Sequence, residues 1–418
     1  MRSRSPNPPL PSGPDSPAPP ADWSHLFADR TARAGGALTA ILALAGSRET
    51  ITFSGGFPAR EAFPVDLLRR LLGELLDEDP ATALQYSPTE GLPIARAAVA
   101  GLLGSSQGIA PDPGDVLITS GGIEALQLVC RVLLERGDEV AVEAPTYLGA
   151  LMSFGGFRTE LCPVQMDDGG ICVEAFESLL GSGSVPKLLY VIPDHQNPTG
   201  ISMSPGRRRA LVESCRSHGV LIVEDVAYRY LGFEGDPPPS LWSLGPDVVL
   251  QIGTFSKILF PGVRLGWAVG PAPLLKAMTA AKQNSDQCAG ALGQALMERF
   301  VSGGHLEAHL VAARALYAGR AAAMLAALER EMPEGIGWTR PKGGFFVWLT
   351  APPGTDTEAL AAEALRHGVA YVPGPPFYAG GEGTNQLRLA YSGVVSDDID
   401  EGIARLARLF GGEVRKSA

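Results

Sequence analysis

The chain has little positive charge. Its 34 lysines and arginines are outnumbered by 45 aspartates and glutamates, which leaves a formal net charge of −11. General nucleic-acid binding needs a basic face, so this balance argues against a nucleic-acid partner. A negative net charge favours solubility and carries no information about the fold.

Cysteines are also sparse, and they lack the spacing of a structural site. The sequence has five of them, an odd number, and no Cys-x-x-Cys pair. They are Cys130, Cys162, Cys172, Cys215 and Cys288. Scattered thiols fit a reducing cytosol better than a disulfide framework or a zinc site. We therefore expect a cytoplasmic protein with no bound metal.

Long apolar runs are missing as well. No run is long enough to span a bilayer, so we expect no membrane association. Arg2 and Arg4 lead into a proline-rich stretch and not into an apolar core, which is unlike a secretory signal. Residues 1–20 cannot build a helix or a strand ladder and are predicted to be disordered.

From residue 115 onward, short β runs alternate with helical stretches. This pattern predicts an α/β domain with a mostly parallel, seven-stranded sheet. The runs are 116–119, 139–143, 158–164, 188–192, 220–224, 248–252 and 265–270. Only a loop separates the last two runs, so 265–270 is predicted to be antiparallel to its neighbour.

The alternation stops near residue 290, and a smaller α+β domain is predicted from there. A long helix at 306–331 precedes strands at 344–349 and 386–390 and a final helix at 398–409. We predict four regions: a disordered tail at 1–20, an N-terminal segment at 21–62 packing with the small domain, a large domain at 63–298 and the small domain at 299–418. A short helix is also predicted at 35–45.

Polar residues gather directly after the β runs, where open α/β sheets bind ligands. Singly, each group is ambiguous. Ser120-Gly121-Gly122 fits an anion site or a tight turn. Asn197-Pro198-Thr199-Gly200 fits an ordinary turn, and Asp225 fits a helix N-cap. A lone His195 in a loop is expected to be solvated more often than catalytic.

Lys257 follows the run 248–252, at the centre of Thr254-Phe255-Ser256-Lys257. A lysine at the end of a buried strand is costly unless its charge is used or neutralised. Together with the other groups, this stretch resembles the fold-type I pyridoxal-phosphate aminotransferases, near the 2-aminoadipate and kynurenine aminotransferases. The resemblance covers residues 52–392. Its further cues are Ser54-Gly55-Gly56-Phe57-Pro58, Gln85-Tyr86-Ser87-Pro88, Pro145-Thr146-Tyr147, Tyr228, Arg264 and the stretch 387–392 around Arg388.

The resemblance implies a role for each residue around the ring of pyridoxal 5'-phosphate (PLP). Lys257 would form the Schiff base and then shuttle a proton. Asp225 would keep the pyridine nitrogen protonated. Asn197 and Tyr228 would hydrogen-bond the ring hydroxyl, and Tyr147 would stack on the ring face.

The resemblance also implies how the phosphate and the substrate are held. The phosphate would be bound by the backbone of Gly121, Gly122 and Ile123, by Thr254 and Ser256, by Arg264 and, across a homodimer, by Tyr86 of the neighbouring subunit. Arg388 would bind the substrate carboxylate, with Gly56 and Asn197 nearby; a surface arginine is the alternative. Relatives commonly carry a polar pair at Gly122-Ile123, so this chain relies more on main-chain N–H groups.

The leading hypothesis is an aminotransferase that moves an amino group from an L-amino acid to a 2-oxo acid by a ping-pong mechanism. Another PLP reaction at Cα is the alternative: decarboxylation, oxidative deamination, elimination or cyclisation. A PLP-sensing regulator ranks lower. The loop 193–196 resembles that of aminotransferase-like regulator domains, which implies that His195 edges the cofactor. Side-chain contacts are expected near residues 35–38, Tyr86, Arg229 and Pro376, with a surface role favoured for Arg229.

Overall fold

The computed structural model describes residues 23–28 and 50–417. The predicted tail at 1–20 and the predicted helix at 35–45 lie outside the described residues. The predicted strands lie within three residues of the observed ones, and several two-residue strands have no predicted counterpart. The observed strands are β1 Ile51–Thr52, β2 Val116–Thr119, β3 Glu139–Ala144, β4 Glu160–Asp167, β5 Gly170–Ile171, β6 Leu188–Val191, β7 Leu221–Asp225, β8 Val249–Thr254, β9 Gly266–Val269, β10 Gly337–Trp338, β11 Phe346–Thr350, β12 Val369–Ala370, β13 Val372–Pro373 and β14 Gln386–Ala390.

Within the described part of the chain, the main sheet has eight strands in the order β2-β9-β8-β7-β6-β3-β4-β5. All seven predicted strands are present, and the eighth is the two-residue β5, which pairs antiparallel with the end of β4. Strands β8, β7, β6, β3 and β4 run parallel. As predicted, β9 is antiparallel to β8, and it is also antiparallel to β2.

Helices cover both faces of this sheet, which explains why its central strands read as continuous apolar runs. Every residue of β2, β6 and β8 is buried. The helices are α1 Val65–Glu78, α2 Pro80–Leu84, α3 Pro93–Gln107, α4 Gly122–Leu133, α5 Leu148–Gly156, α6 Val173–Gly181, α7 Pro205–His218, α8 Leu241–Leu244, α9 Ala272–Gln283, α10 Ala291–Ser302, α11 His305–Glu331, α12 Thr357–Arg366 and α13 Ser396–Ser417.

A second sheet, in the order β10-β11-β14-β13, forms the C-terminal part of the chain. The N-terminal segment is tied to this part, because β1 pairs in parallel with β12 and Phe53 N donates to the Ala370 carbonyl at 2.8 Å. This pairing fits the predicted region 21–62. The boundaries at residues 62 and 298 stay predictions.

The prediction that no apolar run reaches membrane-spanning length is wrong for one helix. By length and composition alone, α11 is long and apolar enough to cross a bilayer. However, it buries Tyr317 and Arg320, and the Arg320 guanidinium donates to the Ser392 carbonyl and to Glu61. A long helix that packs against the protein and forms buried polar contacts fits a core helix.

Candidate active site

The carboxyl ends of the parallel strands meet at a cavity of about 320 Å³. The predicted site residues converge on it from separate strands and loops. Those lining it are Gly56, Gly122, Ile123, Tyr147, Asn197, Asp225, Tyr228, Thr254, Ser256, Lys257, Arg264 and Arg388. Gly121 lies directly behind, where an added Cβ would come within 2.8 Å of Arg264 Nη2.

Lys257 sits just beyond the end of β8, and its amine points across the cavity. Nζ donates to the Gly56 carbonyl at 2.9 Å and lies 5.8 Å from the centre of the Phe345 ring. Burial lowers the pKa of Lys257 to about 8; Arg388 lowers it as well, while Asp225 acts in the opposite direction. The amine is therefore partly neutral near physiological pH and can act as a nucleophile or a base.

Asp225 ends β7 and does not cap a helix. One carboxylate oxygen accepts from the Ala227 N–H at 3.0 Å and the other from the Tyr190 hydroxyl at 2.8 Å. Burial raises the pKa of Asp225, and the Tyr190 hydrogen bond opposes this. Sequence reasoning missed Tyr190, although a tyrosine inside the fully buried run Leu188–Val191 signals a hydroxyl that needs a partner.

Arg388 projects from β14 into the cavity, so the surface alternative is wrong. Its guanidinium donates to Asn197 Oδ1 at 2.9 Å and to the Ser54 carbonyl at 2.6 Å. It lies over the rings of Phe346 and Phe377, at 4.4 and 5.0 Å from their centres. Burial lowers the pKa of Arg388 to about 10. Among the described residues, its buried Nε has no partner.

Arg264 stands at the opposite end of the cavity, beside the start of α4. It adopts a left-handed conformation with φ 51°, and Nη1 donates to Ser256 Oγ at 3.3 Å. Nη2 donates to the Ser120 carbonyl at 3.4 Å. Gly121, with φ 102°, lets the chain turn into α4 against this guanidinium. Free N–H groups at a helix start and a fixed guanidinium together suit a phosphate.

Thr254 shapes the turn that carries Lys257. Its hydroxyl donates to the Leu265 carbonyl at 3.2 Å and accepts from the Ser256 N–H at 3.1 Å. These bonds hold Ser256 next to Arg264.

Two tyrosines line the cavity between its ends. Tyr228 packs edge-on against Phe345 and Phe346, with ring centres 5.5 and 5.6 Å apart. Burial raises the pKa of both Tyr228 and Tyr147 above the ordinary value, so both stay protonated phenols that can donate a hydrogen bond.

Two predictions for charged loop residues are wrong. His195 is not solvated: it is 6% exposed, and its Nδ1 lies 3.2 Å from Ser202 Oγ. Burial lowers the pKa of His195 to about 4. Arg229 is not on the surface: it is 2% exposed, and its Nη1 donates to Asp194 at 2.9 Å. Neither side chain is among the described residues that line the cavity.

Other residues expected to contact the cofactor or the substrate do not line the cavity of this chain. Tyr86 is 77% exposed, and neither it nor Pro376 is among the described lining residues. Residues 35–38 lie outside the described residues. Lining residues not predicted for the site are Ser54, Gly55, Phe57, Leu126, Ile192, Ala227, Pro261 and Phe346. Most are apolar, and an apolar residue at a cavity wall has the same sequence pattern as one in the core.

The sequence matches the family model described as aminotransferase class I and II over residues 60–406. The chain belongs to this family. It is 37% identical to aromatic-amino-acid aminotransferase 1 of Thermococcus litoralis, over 96% of this chain and 97% of that protein. It is 39% identical to the 2-aminoadipate transaminase of Thermus thermophilus, over 94% of this chain and 98% of that protein.

A solved aminotransferase structure also resembles this chain in its fold. The α-aminoadipate aminotransferase LysN of Thermus thermophilus, complexed with N-(5'-phosphopyridoxyl)-L-leucine, superimposes with a TM-score of 0.88 at 37% identity. The match covers 94% of this chain and all of that one. The predicted resemblance, fold class, activity and cofactor are confirmed: this aminotransferase depends on PLP. The alternative reactions and the regulator are not favoured.

The cavity of this aminotransferase offers chemical partners for each part of the cofactor. Arg264 and the start of α4 provide a cationic end for a phosphate. Lys257 provides an amine of lowered pKa for the aldehyde, and Asp225 provides a buried carboxylate for a protonated ring nitrogen. The unpartnered Arg388 Nε leaves one donor for a further anion. The residues present therefore fit PLP.

Proposed function

We propose that Lys257 carries PLP covalently and moves the proton at the substrate Cα during transamination. When bound, PLP supplies a conjugated ring that stabilises negative charge at Cα. Moving the proton requires a neutral amine in part of the cycle, and the pKa of about 8 supports this role. Phe345 and the Gly56 carbonyl border the amine and limit its position.

The neighbours of Lys257 orient the ring in this proposal. Asp225 pairs with the ring nitrogen, and the Tyr190 hydroxyl fixes the carboxylate. Asn197 and Tyr228 hydrogen-bond the ring hydroxyl, and Tyr147 stacks on the ring face. Support comes from their shared cavity, where all but Tyr190 are wall residues.

The phosphate is bound at the Arg264 end. Arg264, Ser256 and Thr254 supply side chains, and the backbone N–H groups of Gly121, Gly122 and Ile123 supply the rest. Ile123 has an exposed apolar side chain, which leaves only its N–H group for an anion. Fixed main-chain donors at a helix start compensate for the missing polar pair.

Arg388 binds the substrate α-carboxylate through two parallel hydrogen bonds. The planar fork is held flat by Phe346 and Phe377, and Asn197 and Gly56 lie at the same end of the cavity. A carboxylate would take over the donors that now point to Asn197 and Ser54, because a charged acceptor forms a stronger bond than a neutral one.

The substrates are an L-amino acid and a 2-oxo acid, and we expect an aromatic or long apolar side chain. Within residues 23–28 and 50–417, the cations lining the cavity are Lys257, Arg264 and Arg388, and each already has a role. The wall left for a side chain includes Phe57 and Phe346. The relative from Thermococcus litoralis is named for aromatic amino acids.

The enzyme acts as a cytoplasmic homodimer in this proposal, with Tyr86 reaching the phosphate of the neighbouring subunit. The 77% exposure of Tyr86 leaves its phenol free to contact a second copy. The net charge of −11 suits a soluble protein.

The convergence of Lys257, Asp225, Arg264 and Arg388 on one cavity carries the proposal. Its test has two parts. Borohydride reduction of the PLP-loaded enzyme, followed by peptide mapping, should place a phosphopyridoxyl group on Lys257; a label on another lysine contradicts the assignment. Single amino acids without an acceptor should then yield stoichiometric 2-oxo acid, with phenylalanine faster than 2-aminoadipate. Release of carbon dioxide instead would contradict transamination.

A further inference from the structure

A charge cluster built around one buried lysine lies directly behind the proposed phosphate site, with Glu124 partly buried and Asp286 at the surface. Lys282, near the end of α9, is completely buried, and its ammonium contacts both oxygens of two carboxylates. Nζ lies 2.9 Å from each Glu124 oxygen and 2.8 and 2.7 Å from the Asp286 oxygens. One buried lysine holding two carboxylates in this way ties the start of α4 to the end of α9 and the turn that follows it.

Ser120 connects this cluster to the phosphate site. Its N–H donates to Glu124 at 2.5 Å and its hydroxyl to Asp286 at 2.6 Å. Its carbonyl accepts from Arg264 at 3.4 Å. All three polar groups of Ser120 are thus engaged, and the next residue is Gly121. The anchored Ser120 therefore sets the direction of the backbone N–H groups of Gly121, Gly122 and Ile123.

The cluster also presents an electrostatic difficulty. Glu124 lies in the first turn of α4, where its negative charge competes with a phosphate for the positive end of the helix dipole. Asp286 adds a second negative charge beside the same loop. Lys282 cancels one of these two charges. Without Lys282, the negative charge of this carboxylate pair would face an incoming phosphate with no buried ammonium beside it.

We propose that Lys282, Glu124 and Asp286 form a positioning cluster that fixes Ser120 and sets the charge behind the phosphate site. Lys282 thereby controls the affinity for the phosphate group of PLP without touching the cofactor. This inference rests on the proposed placement of the phosphate at Arg264 and α4. It matters in this chain because the phosphate loop relies on main-chain donors, whose direction depends on the anchored peptide.

The test compares PLP with pyridoxal, which lacks the phosphate, as ligands of the apoenzyme. The ratio of their dissociation constants, from absorbance titration, isolates the phosphate contribution. Lys282→Met should raise the dissociation constant of PLP about tenfold, the order expected for one unit charge at an effective dielectric constant of about 20, and leave pyridoxal unchanged. Lys276→Met removes an exposed lysine from the same helix and should change neither value.

A rescue experiment separates charge from a general loss of structure. Adding Glu124→Gln and Asp286→Asn to Lys282→Met removes all three charges and should restore PLP affinity to within about threefold of the wild type. Failure of this triple variant to recover affinity would overturn the inference. So would an equal loss of pyridoxal binding in Lys282→Met.

Two further variants keep the inference testable if Lys282→Met does not fold. Glu124→Gln alone retains an acceptor for Ser120 and should tighten binding of inorganic phosphate to the apoenzyme, measured by calorimetry; weaker binding contradicts the charge argument. Arg264→Met should reduce the preference for PLP over pyridoxal at least tenfold, because it removes the one cation that the described part of the chain places at the proposed phosphate site. If it does not, the proposed phosphate site itself is wrong. If it does and Lys282→Met has no effect, only the positioning cluster is refuted.

Discussion

Replacing Arg388 with lysine keeps the positive charge and removes the planar fork. The guanidinium now makes two hydrogen bonds, at 2.9 and 2.6 Å, in a plane set by two aromatic rings. A lysine ammonium can make only one well-aligned bond to a carboxylate from this position. Loss of one hydrogen bond to a charged group costs about 1.5–3 kcal/mol. We expect kcat/KM for an L-amino acid to fall by roughly 10- to 150-fold.

The assay is the single-turnover half-reaction, followed through the cofactor absorbance. L-Phenylalanine is compared with 2-phenylethylamine, which has the same ring and amine but no carboxylate. Arg388→Lys should slow only the amino acid and leave the dissociation constant of PLP unchanged. Arg340→Lys, at an exposed arginine, is the matched control. Equal losses for both substrates would refute the assignment of Arg388 to the carboxylate.

Two other predictions concern Lys257 and Asp225. The lowered pKa of Lys257 means that the folded apoprotein binds fewer protons than the unfolded chain between about pH 8 and 10.5, so its stability rises with pH across this range. Lys257→Met should therefore stabilise the apoprotein at pH 7 by roughly 1–2 kcal/mol, a value reduced because the Lys257 side chain is only partly buried. In denaturant titrations, this gain in unfolding free energy should vanish near pH 10.5. A gain that does not change with pH contradicts the prediction. Tyr190→Phe removes a hydrogen bond to Asp225 and should weaken PLP binding about tenfold. Tyr371→Phe, which removes a buried hydroxyl bonded to the Thr357 carbonyl, should leave PLP binding unchanged, and equal effects would refute the role of Tyr190.

Sequence reasoning predicted the sheet and most of the polar cavity wall. The β runs are short and apolar, and chemically active residues follow them because parallel strands deliver their carboxyl ends to one edge. Lys257 stood out for a related reason: a lysine directly after a buried strand needs an explanation. The antiparallel β9 followed from the length of a connection alone.

One error came from a charge whose partner is distant in sequence. Arg229 was expected at the surface, but Asp194, 35 positions earlier, pairs with it in the interior. The Lys282–Glu124 pair, about which the sequence made no prediction, joins residues 158 positions apart. Each lies in a helix whose sequence does not reveal what packs against it. A sequence alone indicates that burying a charge is unfavourable. Only the fold shows which partner residue compensates the buried charge.

The segment before Pro58 has a consequence for engineering new substrate preferences. Its main-chain carbonyls at Ser54 and Gly56 hold Arg388 and Lys257, respectively. No side-chain substitution can delete a main-chain acceptor. Random mutagenesis of neighbouring positions therefore leaves both carbonyls in place as hydrogen-bond acceptors for Arg388 and Lys257. At Gly56, an added Cβ would come within 2.5 Å of the Phe346 ring. Libraries that vary Phe57 and spare Gly56 should therefore retain the core reaction while changing which side chains are accepted.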